Sequence, residues 1–191
     1  MIDAVRMGVT SVVDHHASPY AVRGSLFKIA EAAEQIGLRS NLCYEISDRD
    51  GEKIAMEGIA ENIEFIKHCQ AKRDDMLKGL VGMHAQMTIS QKTMDKIISE
   101  AEAIGAGYHV HAAEGIEDVV DALAKYDRRV IERLYDNRVL NDKSIAFHCV
   151  HVTDNEIGML AESGVAVVHN PESNMTNAVG VSPVLKMLKD G

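Results

Sequence analysis

Residues 107–126 read GYHVHAAEGIEDVVDALAKY and join two structural patterns without a linker. The first five letters form a short apolar run that carries two histidines, as expected of a buried strand. From Gly115 onward the apolar residues recur three and four positions apart, which is the spacing of one face of a helix. A strand followed at once by a helix is the unit from which parallel α/β folds are built. The fold of the chain then depends on whether this unit repeats.

The strand and helix unit repeats through the whole sequence. Helical patterns fill the intervals between β-rich runs, and Gly37, Gly105 and Gly164 stand where helices would end in a left-handed conformation. Strands rich in Val, Ile and Leu that alternate with helices indicate a parallel sheet covered on both faces, as in a doubly wound sheet or a (β/α)8 barrel. The six predicted strands are residues 9–13, 38–44, 79–83, 107–111, 144–149 and 165–169.

The two ends of the sequence favour the barrel. MIDAVRMG at residues 1–8 reads as the end of a helix, and PVLKMLKDG at residues 183–191 reads as a helix with no strand after it. A complete barrel has eight strands and typically about 250 residues. We therefore expect residues 1–191 to be a single barrel segment that holds the second to seventh strand units and lacks the first and last strands.

Composition excludes several classes of protein. The formal charge of −9 and the pI near 5.4 disfavour a nucleic-acid partner. The start of the chain does not have the pattern of a signal peptide, and no apolar run reaches the ~18 residues of a membrane span. Cys43, Cys69 and Cys149 lie far apart without a C-x-x-C spacing, which predicts reduced, buried thiols. These features predict a globular cytoplasmic protein with a small-molecule substrate.

Histidines are concentrated at the carboxyl ends of the predicted strands. Only His68 falls within a helix, where a surface imidazole is the ordinary interpretation. In parallel α/β folds the carboxyl ends of the strands form the rim at which ligands bind, so histidines from separate strands would meet there. The eight strand-end histidines are His15, His16, His84, His109, His111, His148, His151 and His169.

A rim of imidazoles suits a divalent metal that activates water, with a nearby carboxylate to move protons. His111 and Glu114 fit those two tasks, because Glu114 follows the strand-end histidine by three residues. The alternative is a polar, hydrogen-bonded strand end without chemistry. His109 shares the face of His111 by strand alternation, so it is either a ligand or a residue of the barrel interior. His15, His16 and His151 are predicted to support the site rather than bind the metal.

Several segments resemble one family in the same order along the chain. HVHAAE, FHCVHV and VVHNPESNMTNAVGVSPVLKML resemble the fifth, sixth and seventh strand segments of the amidohydrolase superfamily, in its cytosine deaminase-like and triazine hydrolase-like branch. GVTSVVDHH, RSNLCYEISDRDG and GMHAQMTIS resemble that branch's second, third and fourth segments. The runs GVTSVVDHHAS and YEISDRDG are most similar to aminohydrolases or chlorohydrolases associated with bacterial selenium metabolism.

The resemblance implies a role for particular residues. His111 would be a metal ligand, Glu114 the proton shuttle, and His148 the imidazole that stabilises the developing negative charge. His84 would face the substrate, although Gln86 and Met87 stand where the family commonly has Pro and Tyr. The seventh-strand segment would help to shape the substrate pocket, through His169, Asn170 and Asn174.

Two elements of the family pattern have no counterpart in these 191 residues. They are the H-x-H motif of the first strand and the Asp of the eighth, so a complete metal site, with Zn²⁺ or Fe²⁺, needs ligands that this chain lacks. The HVH at residues 109–111 does not replace the first motif, because Glu114 places it in the later segment. We therefore expect this chain alone to be inactive and to self-associate through exposed strand edges.

The resulting hypothesis is a metal-dependent hydrolase of a C–N bond in a heterocyclic or amidine-like substrate, with deamination as the first choice and dechlorination as a variant. Two alternatives stay open. One is a catalytically inactive fragment or pseudoenzyme. The other is a doubly wound domain that binds a ligand at the histidine rim without chemistry.

Overall fold

The computed structural model describes residues 1–190, and every strand pair within them is parallel. The strands follow one another in chain order across the sheet, without the reversal that marks a doubly wound fold. The strands are β1 (Ser11–His16), β2 (Arg39–Tyr44), β3 (Leu77–Gly79), β4 (Val81–Ala85), β5 (Tyr108–Ala112), β6 (Ile145–His148) and β7 (Ala166–Val168).

β3 and β4 are two halves of one strand that is divided at Leu80. The Leu80 amide donates to Leu42 O of β2, whereas the next amide, from Val81, donates to Gly107 O just before β5. The two sheets remain joined because Ile46, just beyond β2, forms a parallel bridge with Met83 of β4. The described chain therefore contains the six strand units predicted from sequence, and its fold is an incomplete (β/α)8 barrel.

Helices connect the strands and cover the outer face of the sheet. The long crossover helices include the 21-residue α3 and the 12-residue α4. None of the helices described in residues 1–190 combines the length and the apolar character that crossing a bilayer requires. The helices are α1 (Ile2–Arg6), α2 (Ser25–Ile36), α3 (Glu52–Lys72), α4 (Gln91–Glu102), α5 (Ile116–Tyr126), α6 (Val130–Asp136), α7 (Asp154–Ser163), α8 (Pro171–Thr176) and α9 (Val184–Asp190).

Strand alternation separates the apolar core from the histidines. Val110 and Ala112 of β5 are fully buried among the apolar residues that pack against the helices. His109 and His111 alternate with these two residues along the strand and therefore point to the opposite face, which is the barrel interior. The same short strand thus contributes to the hydrophobic core and to the polar interior.

The predicted first strand, residues 9–13, was misplaced. β1 begins at Ser11 and continues to His16, because Asp14, His15 and His16 pair with Leu42, Cys43 and Tyr44 of β2. The sequence signal stops at the last apolar residue, whereas backbone pairing continues through the polar ones. His15 and His16 therefore belong to the strand, and alternation places them on opposite faces.

Candidate active site

His84, His111 and His148 come from three consecutive strands and meet at the carboxyl edge of the sheet. His84 lies in β4, His111 in β5, and His148 is the last residue of β6. The ring centroids of His84 and His111 are 5.8 Å apart, and those of His111 and His148 are 5.5 Å apart. The parallel register brings together side chains that are up to 64 residues apart in sequence, as the rim prediction requires.

The orientation of His111 is fixed by a backbone hydrogen bond. Its Nδ1 lies 2.7 Å from the carbonyl oxygen of His84, which can only accept, so Nδ1 carries the proton. The other nitrogen, Nε2, then has a free lone pair. Burial lowers the pKa of His111, which keeps the ring neutral. A neutral imidazole with a free nitrogen is the form in which histidine binds a metal.

His148 lies between an amide and a carboxylate. Its Nδ1 is 2.7 Å from Asn174 Oδ1 of α8, and its Nε2 is 3.6 Å from Glu114 Oε2. Asn174 is 2% exposed, so this contact is buried. Asn174 was predicted to shape the substrate pocket, and in the structure its direct contact is with His148.

Glu114 is held on a short loop after β5. Its Oε1 accepts a hydrogen bond of 3.0 Å from Asn177 Nδ2, while its second oxygen faces His148. Asn177 could not be selected from local sequence patterns, because it is 63 residues away from Glu114 in the chain. Glu114 is half-buried, which leaves its carboxylate open on one side of the rim.

The loop that carries Glu114 and the end of β6 at His148 have unusual backbone conformations. Ala113, His148 and Cys149 have φ values of 49°, 71° and 46°, in the left-handed region that non-glycine residues rarely adopt. Such conformations cost on the order of 1–3 kcal/mol each and cluster at functional sites. Here they are stabilised by hydrogen bonds between the two loops, from the Cys149 amide to Ala112 O and from the Val150 amide to Ala113 O.

A network of hydrogen bonds between buried polar side chains holds the loop that carries Glu114. Gln86 Nε2 donates to Asp118 Oδ1 at 2.9 Å, and Asp118 Oδ2 accepts from the Ala113 amide at 3.0 Å. Arg133 Nη1 donates to Gln86 Oε1 at 2.9 Å. Gln86, one of the departures from the family pattern, is therefore a structural residue that links α6 to the loop.

His84 is the most open of the three rim histidines. Its Nδ1 lies 2.9 Å from Thr88 Oγ1, and that hydroxyl donates its own proton to Ala85 O. The hydroxyl therefore accepts from Nδ1, so Nε2 of His84 has a free lone pair. Burial, followed by the charge of Arg49, lowers the pKa of His84 to about 4.

Two further histidines lie one layer deeper in the barrel. The His15 ring is 4.4 Å from that of His109 and 4.6 Å from that of His111, measured between centroids. His109 stacks on Phe147 at 4.0 Å with an interplanar angle of 11°. His109 is thus an interior residue, one of the two interpretations that its sequence position allowed. His15 was expected to be a supporting residue, and it contacts His111 directly.

His169 lies apart from this cluster. It is exposed after β7 and lines an apolar cavity between α7, β7 and α9, together with Val167, Leu160 and Leu188. The described structure therefore brings five of the six predicted site residues together, namely His84, His111, Glu114, His148 and Asn174, and leaves His169 outside.

The fold and the rim define a class of protein, the (β/α)-barrel proteins that carry polar functional residues on the carboxyl ends of their strands. Comparison with known proteins identifies the family. The profile of the amidohydrolase family matches residues 1–191, so the chain belongs to the amidohydrolase family. The family resemblance of the strand segments is thereby confirmed.

Named relatives share the whole of this chain. It is 31% identical over 191 residues to a 5-methylthioadenosine/S-adenosylhomocysteine deaminase of Caldanaerobacter subterraneus, covering 100% of the chain and 42% of that protein. The crystal structure of a zinc-bound adenosine deaminase from Xanthomonas campestris is 26% identical with a TM-score of 0.84, covering 97% of this chain and 41% of that one.

A triazine hydrolase from Arthrobacter aurescens shares the fold, with a TM-score of 0.84 at 17% identity, over 100% of this chain and 44% of that one. The chain therefore spans less than half the length of the relatives it matches.

Proposed function

We propose that the whole protein is a metal-dependent deaminase that hydrolyses the exocyclic C–N bond of an adenine-type nucleoside. The observation that carries this proposal is the arrangement of His111, Glu114 and His148, in which a free imidazole nitrogen and a carboxylate face the same side of the rim. The deaminase names of the relatives at 31% and 26% identity support the substrate class.

The residues present fit a divalent metal, with Zn²⁺ as the first choice. His111 offers Nε2, since Nδ1 is committed to His84 O at 2.7 Å. An imidazole whose other nitrogen donates to a backbone carbonyl is the typical arrangement of a histidine ligand. When bound, such a metal lowers the pKa of a water molecule so that hydroxide is available near neutral pH.

Glu114 is assigned the proton transfers. A carboxylate beside the attacking water can accept its proton and deliver it to the amino group, so that water and the substrate become the oxo product and ammonia. The hydrogen bond from Asn177 Nδ2 holds one oxygen and leaves the other free for this transfer. An amine leaves only after protonation, and a carboxylate that has accepted the proton of the water can supply it, as deamination requires.

His148 is assigned the stabilisation of negative charge. The contact of its Nδ1 with Asn174 Oδ1 holds the ring in place, and its Nε2 lies 3.6 Å from Glu114 Oε2. A donor at this position stabilises the tetrahedral species formed when water adds to the ring carbon. His84, with its free Nε2, would contact the substrate from the neighbouring strand.

The roles of Glu114 and His111 are tested separately in the whole protein. With adenosine as substrate, Glu114→Gln should lower kcat by about 10²- to 10⁴-fold and keep the metal, because the amide preserves shape but cannot accept a proton. His111→Asn should lower the metal content. Ammonia release and elemental analysis are the measurements, and Glu117→Gln, an exposed acid three residues further on, is the control.

Near-normal turnover of Glu114→Gln would contradict the assigned proton transfer. Equal loss of metal in the Glu114 and His111 variants would show that the two roles are not separate.

A further inference from the structure

Ala113, the residue directly before Glu114, is held in a left-handed conformation by hydrogen bonds on both sides. It is fully buried, with a φ of 49°. Its carbonyl oxygen accepts from the amides of Val150 and His151, at 3.1 and 2.9 Å. Its own amide donates to Asp118 Oδ2 at 3.0 Å. Because the peptide groups on both sides are bonded, the direction in which the main chain enters Glu114 depends on these partners.

The partner of the Ala113 amide is a single side chain. Asp118 is the third residue of α5 and is 3% exposed, so its carboxylate takes the place of water at a buried N–H group. A buried amide without an acceptor is destabilising. No capping side chain bonds to the first turn of α5, and an acid in that turn is stabilised by the helix dipole. The start of α5 is therefore a position at which a carboxylate is stable and can reach back to the loop.

Asp118 is itself oriented by two buried side chains. Gln86 Nε2 donates to Asp118 Oδ1 at 2.9 Å and to the backbone oxygen of Asp118 at 3.0 Å. Arg133 Nη1 donates to Gln86 Oε1 at 2.9 Å, and its guanidinium carbon lies 3.8 Å from the centroid of the Tyr126 ring. Hydrogen bonds between buried polar side chains favour one geometry over its alternatives. The two carboxylate oxygens thus have separate partners, one in Gln86 and the other in the Ala113 amide.

The main chain connects this network to the candidate active site. Within residues 1–190, the Asp118 carboxylate bonds to a side-chain amide and to main-chain amides, and to none of the rim histidines. His111 is fixed independently, by the bond from its Nδ1 to a backbone carbonyl of β4. A shift of the main chain at Ala113 would therefore move the Glu114 carboxylate relative to His148 and leave His111 in place. Such a shift matters because a displacement of about 1 Å can cost about 10²-fold in rate.

We propose that Asp118 is a positioning residue for proton transfer, which orients the Glu114 carboxylate by holding the Ala113 amide. This inference rests on the proposed function, because it takes Glu114 as the group that moves the protons. Asp118 touches neither the substrate nor the metal, and Gln86 and Arg133 act one step further away by holding Asp118. The buried network between α5 and α6 then contributes to the rate as well as to the stability of the fold.

The test uses Asp118→Asn in the whole protein, with adenosine as substrate. An asparagine keeps the size of the side chain, but its single oxygen can accept from Ala113 or from Gln86 and not from both. We expect kcat per bound metal ion to fall by about 10- to 100-fold, while KM and metal content stay unchanged. Asp121→Asn is the matched control, because Asp121 lies one turn further along α5 and pairs with Lys125 at 2.6 Å. Its kcat should equal that of the unchanged protein.

A second substitution separates positioning from a merely structural role. Glycine adopts a positive φ without the steric penalty of a Cβ, so Ala113→Gly reduces the need for the bond to Asp118. The double variant Ala113→Gly/Asp118→Asn should be at least about 5-fold faster than Asp118→Asn, because the penalty for the left-handed conformation is removed. Thermal unfolding of each variant shows that the comparison is made between folded proteins.

An unchanged kcat per bound metal ion in Asp118→Asn would overturn the proposal, as would a double variant no faster than Asp118→Asn. A raised KM with normal kcat would also overturn it. Failure of the proposed function would instead appear as near-normal turnover in Glu114→Gln. An inactive Glu114→Gln beside a fully active Asp118→Asn would show that the positioning proposal alone is wrong, so the two failures are distinguishable.

Discussion

At the scale of single residues, burial determines the protonation of the histidines. A buried imidazole with no anionic partner is disfavoured in its charged form, because desolvation penalises the charge. The pKa of His84 is lowered to about 4 and that of His109 to about 3, in both cases mainly by burial. The interior therefore contains neutral rings at neutral pH, which suits metal binding and makes the metal-free fold sensitive to acid.

This sensitivity gives a prediction for the metal-free chain. Below pH about 6.5 the unfolded state takes up protons at histidines that the folded state keeps neutral, so stability falls as pH decreases toward 4. His109 contributes at most about 1.4 kcal/mol per pH unit to that slope. Urea unfolding between pH 7 and 4, with chelator present, should show a smaller slope in His109→Gln. The control is His68→Gln, because His68 is an exposed histidine on α3. A slope in His109→Gln equal to that of the unchanged chain would contradict this prediction.

Sequence spacing located some site residues and not others. His111 and Glu114 are three positions apart, so their proximity could be inferred from the strand and the short loop after it. Asn177 and Asn174 reach the site from the segment after β7, at sequence separations of 63 and 26 residues from their partners. No local pattern encodes such contacts, because they depend on how the barrel brings its loops together.

At the scale of helices and strands, local signals predicted the type of element better than its limits. Thr153 followed three residues later by Glu156 is the sequence pattern of a capping box, and the box is present, with the Thr153 hydroxyl and the Glu156 carboxylate each accepting from the other's amide. Glu156 also accepts from Arg129 Nε at 2.8 Å and from the Ile131 amide, and it is fully buried. The capping role follows from sequence, whereas the contact with α6 depends on tertiary packing.

Substitution by alanine at Gly107 and at Gly158 is expected to change the stability of the fold in opposite directions. A Cβ on Gly107, just before β5, would lie 2.1 Å from Lys143 O, whereas a Cβ on Gly158 in α7 would meet nothing within 4 Å. Gly107→Ala should destabilise the fold, since the main chain must move apart. Gly158→Ala should stabilise it by about 0.5–1 kcal/mol through helix propensity. Thermal unfolding measures both changes, and a neutral Gly107→Ala would show that the two segments do not approach so closely.

At the scale of the whole molecule, the sheet has two free edges. Within residues 1–190, β1 and β7 each pair with a neighbour on one side only. Val13 of β1 is 47% exposed, and Leu185 and Leu188 of α9 are 79% and 75% exposed. Free strand edges beside exposed apolar side chains promote pairing between chains.

The chain of 191 residues should therefore self-associate. Val13→Lys should reduce this association, because a charge on an edge strand opposes pairing with another chain. Val120→Lys, on the exposed face of α5, is the control and should leave it unchanged. Light scattering across a concentration series measures the effect. A monodisperse monomer at all concentrations would contradict the prediction.

The fold class could be predicted because hydrophobic periodicity repeats in every unit from β1 to β7. The division of one strand at Leu80 could not, since it arises when consecutive amides bond to different neighbours, Leu42 and Gly107. The convergence of the strand-end histidines was predicted, whereas the particular contact between the His15 and His109 rings was not. It requires the register of β1 beside β2 and the curvature of the sheet, neither of which is encoded by spacing along one strand.

The central claim is that His111 Nε2 is a metal ligand at a rim shared with Glu114 and His148. Crystals of the whole protein grown with Zn²⁺ and measured at the zinc absorption edge test it directly. The account predicts an anomalous peak about 2.0–2.1 Å from His111 Nε2, on the side of the ring that faces the barrel interior. A peak on another group with no density beside His111, or a zinc ion bound through His111 Nδ1 with the bond to His84 O broken, would contradict the account.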